Sequence, residues 1–192
     1  DSRTKNILIS EITRITNTFI SDYDVMSTFC SPKSKLTFNT FDTVLESGKI
    51  VVLNINISEY NMLSKIIATY LKLDFQTEIM TRLSKNISKP SAFICDEYDK
   101  FASKTDGEFF SLSREAKCIN IVSTQSYSSL KSTLKDDSSV KVIIQNLINK
   151  IWFRTDDSFT IEDAQKQLGK EEKEKISKSI SESAKETKFK YI

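Results

Sequence analysis

The sequence contains no histidine, and its 192 residues include only three glycines. Without histidine, neither a Ser-His-Asp nor a Cys-His triad can form, and histidine-ligated zinc is excluded. A glycine-rich phosphate loop is excluded as well. The nearest imitation is Gly48-Lys49, but a G-x-x-x-x-G-K-[ST] loop needs glycine where Thr43 stands and a hydroxyl residue where Ile50 stands. The chain therefore carries no Walker A motif.

Long apolar runs are also missing. No stretch approaches the roughly 20 apolar residues that cross a bilayer, and no charged-then-apolar leader opens the chain, so we expect a soluble piece. The chain begins Asp1-Ser2-Arg3 without an initiator methionine, and we interpret it as part of a longer protein with further motifs upstream. The net charge of +2 neither demands nor forbids a nucleic-acid partner.

Cysteines are few and dispersed. The three thiols, Cys30, Cys95 and Cys118, are odd in number, and two of them lie inside apolar runs. This usage is typical of a reducing cytosol and predicts buried thiols; it does not favour a disulfide framework or a zinc site.

Four short apolar, β-branched runs predict strands that are buried on both faces. They cover residues 49–55, 91–95, 119–124 and 150–155. Helical patterns lie between them, over residues 58–83 with Ser58 as the expected N-cap, and over 126–134 and 138–149. Strands that alternate with helices predict an α/β fold, with a parallel sheet flanked by helices.

The two ends of the chain fit this alternation less well. Residues 6–20 have the pattern of an amphipathic helix, and we expect residues 1–45 to form a separate helical element before an α/β core over 46–157. The last segment, 158–192, begins with a short helix that is capped by Thr160 and ended by Gly169. Dense charge and few apolar residues follow, which predicts a solvated or frayed tail.

The run "FICDEYDKF" places two carboxylates, Asp96 and Glu97, directly after a predicted buried strand. In an open parallel sheet, ligands bind beyond the carboxyl ends of the strands. An apolar strand that ends in Asp-Glu is the Walker B arrangement, in which Asp holds the water shell of a nucleotide's Mg²⁺ and Glu orients the attacking water. The alternative is a plain surface loop, because such short strings are common.

Two further residues are candidates for the same site. Gln125 follows the neighbouring predicted strand, where an amide could sense a γ-phosphate or position a water; the alternative is an ordinary polar strand end. Arg114 precedes that strand, and its guanidinium suits bidentate phosphate contact in the site of a neighbouring subunit. An ordinary surface arginine is the alternative.

Taken together, "AFICDEYDKFAS", "REAKCINIVSTQSYSSL" and "NKIWFRTDD…AQKQLG" resemble the motor domain of type IV coupling proteins of the TraG/TraD conjugation family. The resemblance implies a RecA-like P-loop NTPase core, with residues 1–45 as the tail of an inserted all-helical domain. It implies that Asp96 and Glu97 are the Walker B pair, with Asp96 at the nucleotide's Mg²⁺. Gln125 would be the sensor-like glutamine and Arg114 the trans-acting arginine. The family's phosphate loop is absent from this chain.

The resemblance also implies a function. Motors of this family are ring-forming ATPases, and we expect a hexamer that passes DNA, or protein-DNA, through a type IV secretion or conjugation system. ATP and Mg²⁺ would serve the complete protein, and the fragment alone would be inactive. Expected partners are DNA, a relaxase-type substrate protein and components of the secretion channel. The expected location is the cytoplasmic face of the bacterial inner membrane, with anchoring only through regions missing from this chain.

Two alternatives stay open at this point. One is the secretion-channel ATPase of the same system, which shares the strand-Asp-Glu and Gln pattern. The other is a non-enzymatic binding module that kept the motor fold without its phosphate loop.

Overall fold

A computed structural model describes residues 2–38, 40–85, 89–169, 178–183 and 186–191. The chain divides into two compact units, Asp1–Ile151 and Trp152–Ile192, and each is described by itself. Within these described ranges, no helix combines the length and the apolar character needed to cross a bilayer.

The first unit is mainly helical. Side chains of Asp22, Ser126 and Asp136 accept hydrogen bonds from backbone amides and so begin three of its helices. Gly48 ends another in the left-handed region, at φ 65°. The helices are α1 Ser2–Ile20, α2 Tyr23–Phe29, α3 Phe41–Ser47, α4 Asn61–Ser84, α5 Asp106–Ser113, α6 Tyr127–Leu134 and α7 Asp137–Asn146.

Most of the predicted helices of this unit are confirmed, with shifted ends. The pattern over 6–20 lies within α1, and 126–134 and 138–149 correspond to α6 and α7. The expected N-cap Ser58 is wrong, because α4 begins at Asn61 and Tyr60 flanks it without a side-chain cap. The segment after α1 also holds α2 and α3.

Two strands, β1 Ser91–Cys95 and β2 Cys118–Val122, pair in parallel. The register places Ser91 opposite Cys118 and Cys95 opposite Val122. The strands predicted over 91–95 and 119–124 are therefore confirmed, although the second begins one residue and ends two residues earlier than predicted. Paired parallel strands occur in many α/β folds, so the RecA-like assignment stays a prediction.

One face of the β1–β2 pair is covered by helices. Phe75 of α4 stacks on Phe93 of β1 with ring centroids 5.7 Å apart, and Asn120 of β2 donates a hydrogen bond of 2.7 Å to Ser113 Oγ at the end of α5. The opposite face is exposed, and its apolar residues are Ala92, Ile94, Ile119 and Ile121. The sheet is thus half covered in this chain, whereas the sequence pattern predicted burial on both faces.

The strands predicted over 49–55 and 150–155 are wrong. The side chains of Ile50 and Val52 are 91% and 80% exposed, and Ile151 and Phe153 are exposed to a similar degree. Apolar, β-branched composition favours an extended chain, but a strand also needs a neighbouring strand to take up its backbone hydrogen bonds. Neither segment is a strand of a sheet in the part of the chain that the structure describes.

The second unit contains α8 Ser158–Leu168 and an antiparallel pair of strands, β3 Lys178–Ser183 and β4 Glu186–Tyr191. Gly169 ends α8 as predicted. The cap is Asp157, whose carboxylate accepts from the amide and the hydroxyl of Thr160, so Thr160 is a donor to the cap and the predicted capping role is wrong. The frayed-tail interpretation is wrong over β3 and β4. Charged and small polar residues dominate the composition of these strands, whose apolar or aromatic residues are Ile180, Phe189 and Tyr191, so the apolar pattern gave little sign of them.

Candidate functional site

The candidate site lies at the carboxyl ends of β1 and β2. Because the strands are parallel and Cys95 is opposite Val122, the residues that follow each strand emerge at the same edge. Asp96 and Glu97 follow β1, and Ser123, Thr124 and Gln125 follow β2. The structure therefore places three of the four residues that the sequence singled out, Asp96, Glu97 and Gln125, after the strands at the same edge.

Asp96 is exposed, and hydrogen bonds hold its carboxylate in place. Ser123 Oγ donates to Asp96 Oδ1, and the backbone amide of Glu97 donates to the same oxygen at 3.0 Å. The bond from Ser123, followed by the one from the Glu97 amide, holds the pKa of Asp96 below its usual value. Asp96 is thus ionised at neutral pH and presents a fixed carboxylate to solvent.

Glu97 has the backbone conformation of the left-handed region, with φ 48° and ψ 41°. A residue with a Cβ atom pays about 1–2 kcal/mol for this conformation. Its side chain is half-buried. The chain passes from Glu97 directly into a short 3-10 turn over Tyr98–Lys100, so the strand does not continue past the two adjacent carboxylates.

Backbone and side-chain bonds tie the two strand ends together. The amide of Ser123 donates to Cys95 O at 3.0 Å, and the amide of Tyr98 donates to Ser123 O at 2.8 Å. Farther along, Thr124 Oγ1 donates to Asp99 Oδ1 at 3.1 Å. Asp99 is only 2% exposed. Hydrogen bonds therefore join the two strand ends, and Ser123, which follows β2, bonds to Cys95, Asp96 and Tyr98.

A buried ion pair lies behind this edge. Lys72 Nζ of α4 lies 2.7 Å and 2.6 Å from the two carboxylate oxygens of Asp106, the first residue of α5. Burial lowers the pKa of Lys72, and the Asp106 carboxylate offsets this only in part. Burial alone would raise the pKa of Asp106, but the charge of Lys72 and the hydrogen bonds that Asp106 accepts hold it below its usual value.

Sequence reasoning missed this ion pair, although one signal was present. Lys72 stands three and seven residues before Phe75 and Ile79, which are buried residues of the same helix, so a lysine interrupts an apolar helical face. A charged residue at such a position needs a buried partner of opposite charge. Asp106 offered no comparable local signal, because its partner is 34 residues away in sequence.

Arg114 lies away from the carboxylates of its own chain. It is exposed and follows the last residue of α5, a few residues before β2 begins. It is therefore at the amino ends of the strands, and a five-residue strand separates the two ends by roughly 15 Å. The structure does not bring Arg114 to Asp96, and its action on a neighbouring subunit stays a prediction.

The donor set at the carboxyl edge suits Mg²⁺ held together with a nucleotide. Mg²⁺ in such sites takes one or two carboxylates and completes its shell with water and phosphate oxygens. Asp96 supplies an exposed, ionised carboxylate of this kind. In the part of the chain that the structure describes, no group of three or more Asp, Glu, Cys or His residues could hold a metal unaided. The residues present thus fit a shared site, in which phosphate oxygens complete the ligands.

Comparison with known proteins gives one match. Residues 90–191 match a family model described as the TraM recognition site of TraD and TraG, and they make up more than half of the chain. Both strands of the candidate site and the segment between them fall inside this range. No curated protein and no solved structure matches the chain significantly.

Proposed function

The chain belongs to the family described as the TraM recognition site of TraD and TraG, and we propose that the carboxyl edge of β1 and β2 is the Walker B site of its ATPase motor. Membership gives the chain a role in a coupling protein of conjugative DNA transfer. The finer proposal is a RecA-like, ring-forming motor, a hexamer, that couples ATP hydrolysis to transfer of DNA or protein-DNA through a type IV secretion system.

The observation that carries the proposal is the position of Asp96 and Glu97. They stand directly after a strand of a parallel pair, and Gln125 stands after its neighbour. Open α/β sheets bind their ligands at this edge. The ordinary alternative, a solvated surface loop, leaves the bond from Ser123 to Asp96 and the left-handed backbone of Glu97 without a function.

Each residue of the edge has a distinct task in this proposal. Asp96 stays ionised and, with water, would hold the Mg²⁺ of a bound nucleotide. When bound, Mg²⁺ supplies neutralisation of phosphate charge. Glu97 orients the attacking water and accepts its proton, and Gln125 contacts the γ-phosphate end of the nucleotide. Ser123 keeps the Asp96 carboxylate directed toward solvent.

Partners follow from the family. We propose that the chain binds a relaxosome protein of the TraM type, since the matched model is described as its recognition site. DNA, a relaxase-type substrate protein and secretion-channel components are the further proposed partners. The proposed location is the cytoplasmic face of the bacterial inner membrane. ATP and Mg²⁺ act in the complete protein, by which we mean this chain joined to the phosphate loop that its own sequence lacks.

The test is ATP hydrolysis by the complete protein with Asp96→Asn. We expect a higher Mg²⁺ requirement and a turnover at least about tenfold lower, because the substitution removes a charged ligand of the metal shell. Asp137→Asn is the matched control, since Asp137 is an exposed carboxylate on α7. Equal Mg²⁺ dependence and equal turnover in the two variants would contradict the proposed site.

A second function is favoured by one observation. The matched model is described as a recognition site, and no phosphate loop lies within the sequence, so a purely binding role for the chain is the alternative. A complete protein that binds a TraM-type partner, but hydrolyses no ATP with or without DNA, would establish that role.

A further inference from the structure

The buried ion pair between α4 and α5 does more than join two helices. The side chains of Lys72 and Asp106 are 3% and 0% exposed. Replacement of such a pair by apolar residues is often neutral or stabilising, because removal of two charges from water costs about as much as their attraction returns. Stability alone is therefore a weak reason for this pair.

The ion pair forms hydrogen bonds with the segment that follows β1 and begins with Asp96 and Glu97. Asp106 accepts hydrogen bonds from Tyr98 Oη at 2.7 Å, from the amide of Ser103 at 2.9 Å and from Ser103 Oγ at 2.8 Å. Lys72 Nζ donates to the carbonyl oxygen of Phe101 at 2.8 Å and contacts Ser103 Oγ at 3.0 Å. Three residues of the segment between β1 and α5, Tyr98, Phe101 and Ser103, thus form hydrogen bonds with the same buried ion pair.

We propose that Lys72 and Asp106 are positioning residues, which act through Tyr98 to hold Glu97 in its left-handed conformation and so direct its carboxylate. The inference rests on the proposed Walker B site. In this proposal Lys72 and Asp106 make no contact with nucleotide or water themselves. They hold Glu97, which acts on the water.

The physical argument starts from the backbone of Glu97. Its conformation is unfavourable by itself and persists only if both neighbours are held. Asp96 is held through its bond from Ser123, and Tyr98 is held at two points, by its amide on Ser123 O and by its hydroxyl on Asp106. Tyr98 is fully buried, so no water can replace the bond that its hydroxyl donates to Asp106.

Release of Tyr98 leaves Glu97 free to relax to an ordinary backbone conformation. A relaxed Glu97 moves its carboxylate relative to the bound water, and displacements near 1 Å cost up to about a hundredfold in rate. Glu97 acts on the water only in the transition state, so kcat should fall while KM for ATP stays unchanged. A merely structural role would lower the folded fraction and leave kcat per folded molecule unaltered.

The experiment compares variants of the complete protein in steady-state ATP hydrolysis, with the folded fraction measured in parallel. Tyr98→Phe removes only the hydroxyl that reaches Asp106, and Tyr70→Phe on the exposed side of α4 is its matched control. The double variant Lys72→Met/Asp106→Leu removes both charges together, so no charge is left buried without a partner. We expect kcat to fall several-fold in Tyr98→Phe and about tenfold or more in the double variant, at constant KM.

The outcomes separate the two proposals. If Glu97→Gln, run as a reference, keeps wild-type turnover, the Walker B proposal fails and the positioning role fails with it. If Glu97→Gln is impaired but Tyr98→Phe and the double variant keep wild-type kcat per folded molecule, only the positioning role is overturned. If the double variant does not fold, the comparison of Tyr98→Phe with Tyr70→Phe decides, since loss of one hydroxyl removes the bond to Asp106 and leaves the apolar packing needed for folding.

Discussion

The two ends of the β1–β2 pair differ sharply, although the same two strands supply both. At the carboxyl end, a long polar segment leaves β1, carries Asp96 and Glu97, and is bonded to Ser123 and to the buried Lys72–Asp106 pair. At the amino end, a short turn enters β2, and the backbone amide of Ser91 donates to Lys117 O at 3.1 Å. Carboxylates and their hydrogen bonds are thus concentrated in the connecting segment at one end of the strand pair.

The largest expected effect comes from Arg114, which lies at the amino end and so tests whether only the carboxyl end matters for function. We predict that Arg114→Ala lowers ATP hydrolysis by the complete protein by roughly three to five orders of magnitude, as expected for an arginine that neutralises charge on a neighbour's phosphoryl group. An ordinary surface arginine would change little, because exposed ion pairs contribute under about 1 kcal/mol. Steady-state hydrolysis by assembled rings measures the effect, and normal activity of the variant would contradict it.

Action across a subunit boundary needs its own control. Arg114→Ala subunits keep an intact Glu97, and Glu97→Gln subunits keep the arginine. In mixed rings, some interfaces join an intact arginine to an intact Glu97, and hydrolysis should partly return. Verified mixed rings that stay inactive at every ratio would assign Arg114 no role in a neighbouring site.

The next effect concerns stability at the carboxyl end. Lys72→Met leaves the Asp106 carboxylate buried without its counter-charge, and we predict a loss of about 3–5 kcal/mol in the free energy of unfolding. Lys131→Met is the matched control, because its pair with Asp137 at 2.8 Å is about half exposed and should contribute under about 1 kcal/mol. Urea unfolding of the chain measures both, and equal losses in the two variants would contradict the buried pair.

Thiol labelling compares the two ends directly, since Cys95 ends β1 and Cys118 begins β2. Burial raises the pKa of the Cys95 thiol to about 11, and burial also raises the pKa of the Cys118 thiol. The thiolate is the reactive form, so we predict labelling of both at least about a hundredfold slower than that of exposed Cys30 at neutral pH. Mass spectrometry of timed samples reports each site. Rapid labelling of Cys95 or Cys118 in the native chain would contradict the burial of that end.

The smallest expected effect is the acid sensitivity of the buried pair. The pKa of Asp106 is lower in the folded chain than its ordinary value, so its contribution to stability is present at neutral pH. It is lost as the pH falls below about 4 and through the lowered folded value. Asp106→Asn should therefore flatten the fall in unfolding free energy on acidification. An unchanged slope in urea titrations at each pH would contradict this.

Local pattern was enough to predict several features from sequence. Periodicity gave the helices α6 and α7, and apolar runs that end in polar residues gave β1, β2 and the Asp-Glu pair after β1. These features depend on residues close together in the chain. The Gly169 end of α8 was predicted for the same reason, because a glycine at a helix end acts through its own backbone.

The remaining features depend on partners that are distant in sequence. The run 49–55 has strand composition but no neighbouring strand to pair with, so composition alone misassigned it. The ion pair of Lys72 and Asp106 joins two helices, and the neighbours of Glu97 contact Ser123 and Asp106. The ion pair spans 34 residues and the bond from Ser123 to Asp96 spans 27, so no short window of sequence contains both sides of either contact.

The central claim is that the carboxyl end of β1 is a catalytic edge, and substitution of Glu97 tests it most directly. In the complete protein, Glu97→Gln keeps the size of the side chain and removes the base, so ATP binding should be preserved while turnover falls by about two orders of magnitude or more. Glu115→Gln, at an exposed position between α5 and β2, is the matched control. Binding is measured by calorimetry with Mg-ATP and turnover by phosphate release. If the turnover of Glu97→Gln equals that of Glu115→Gln and of the unsubstituted protein, Glu97 is an ordinary residue of a surface turn and the account is contradicted.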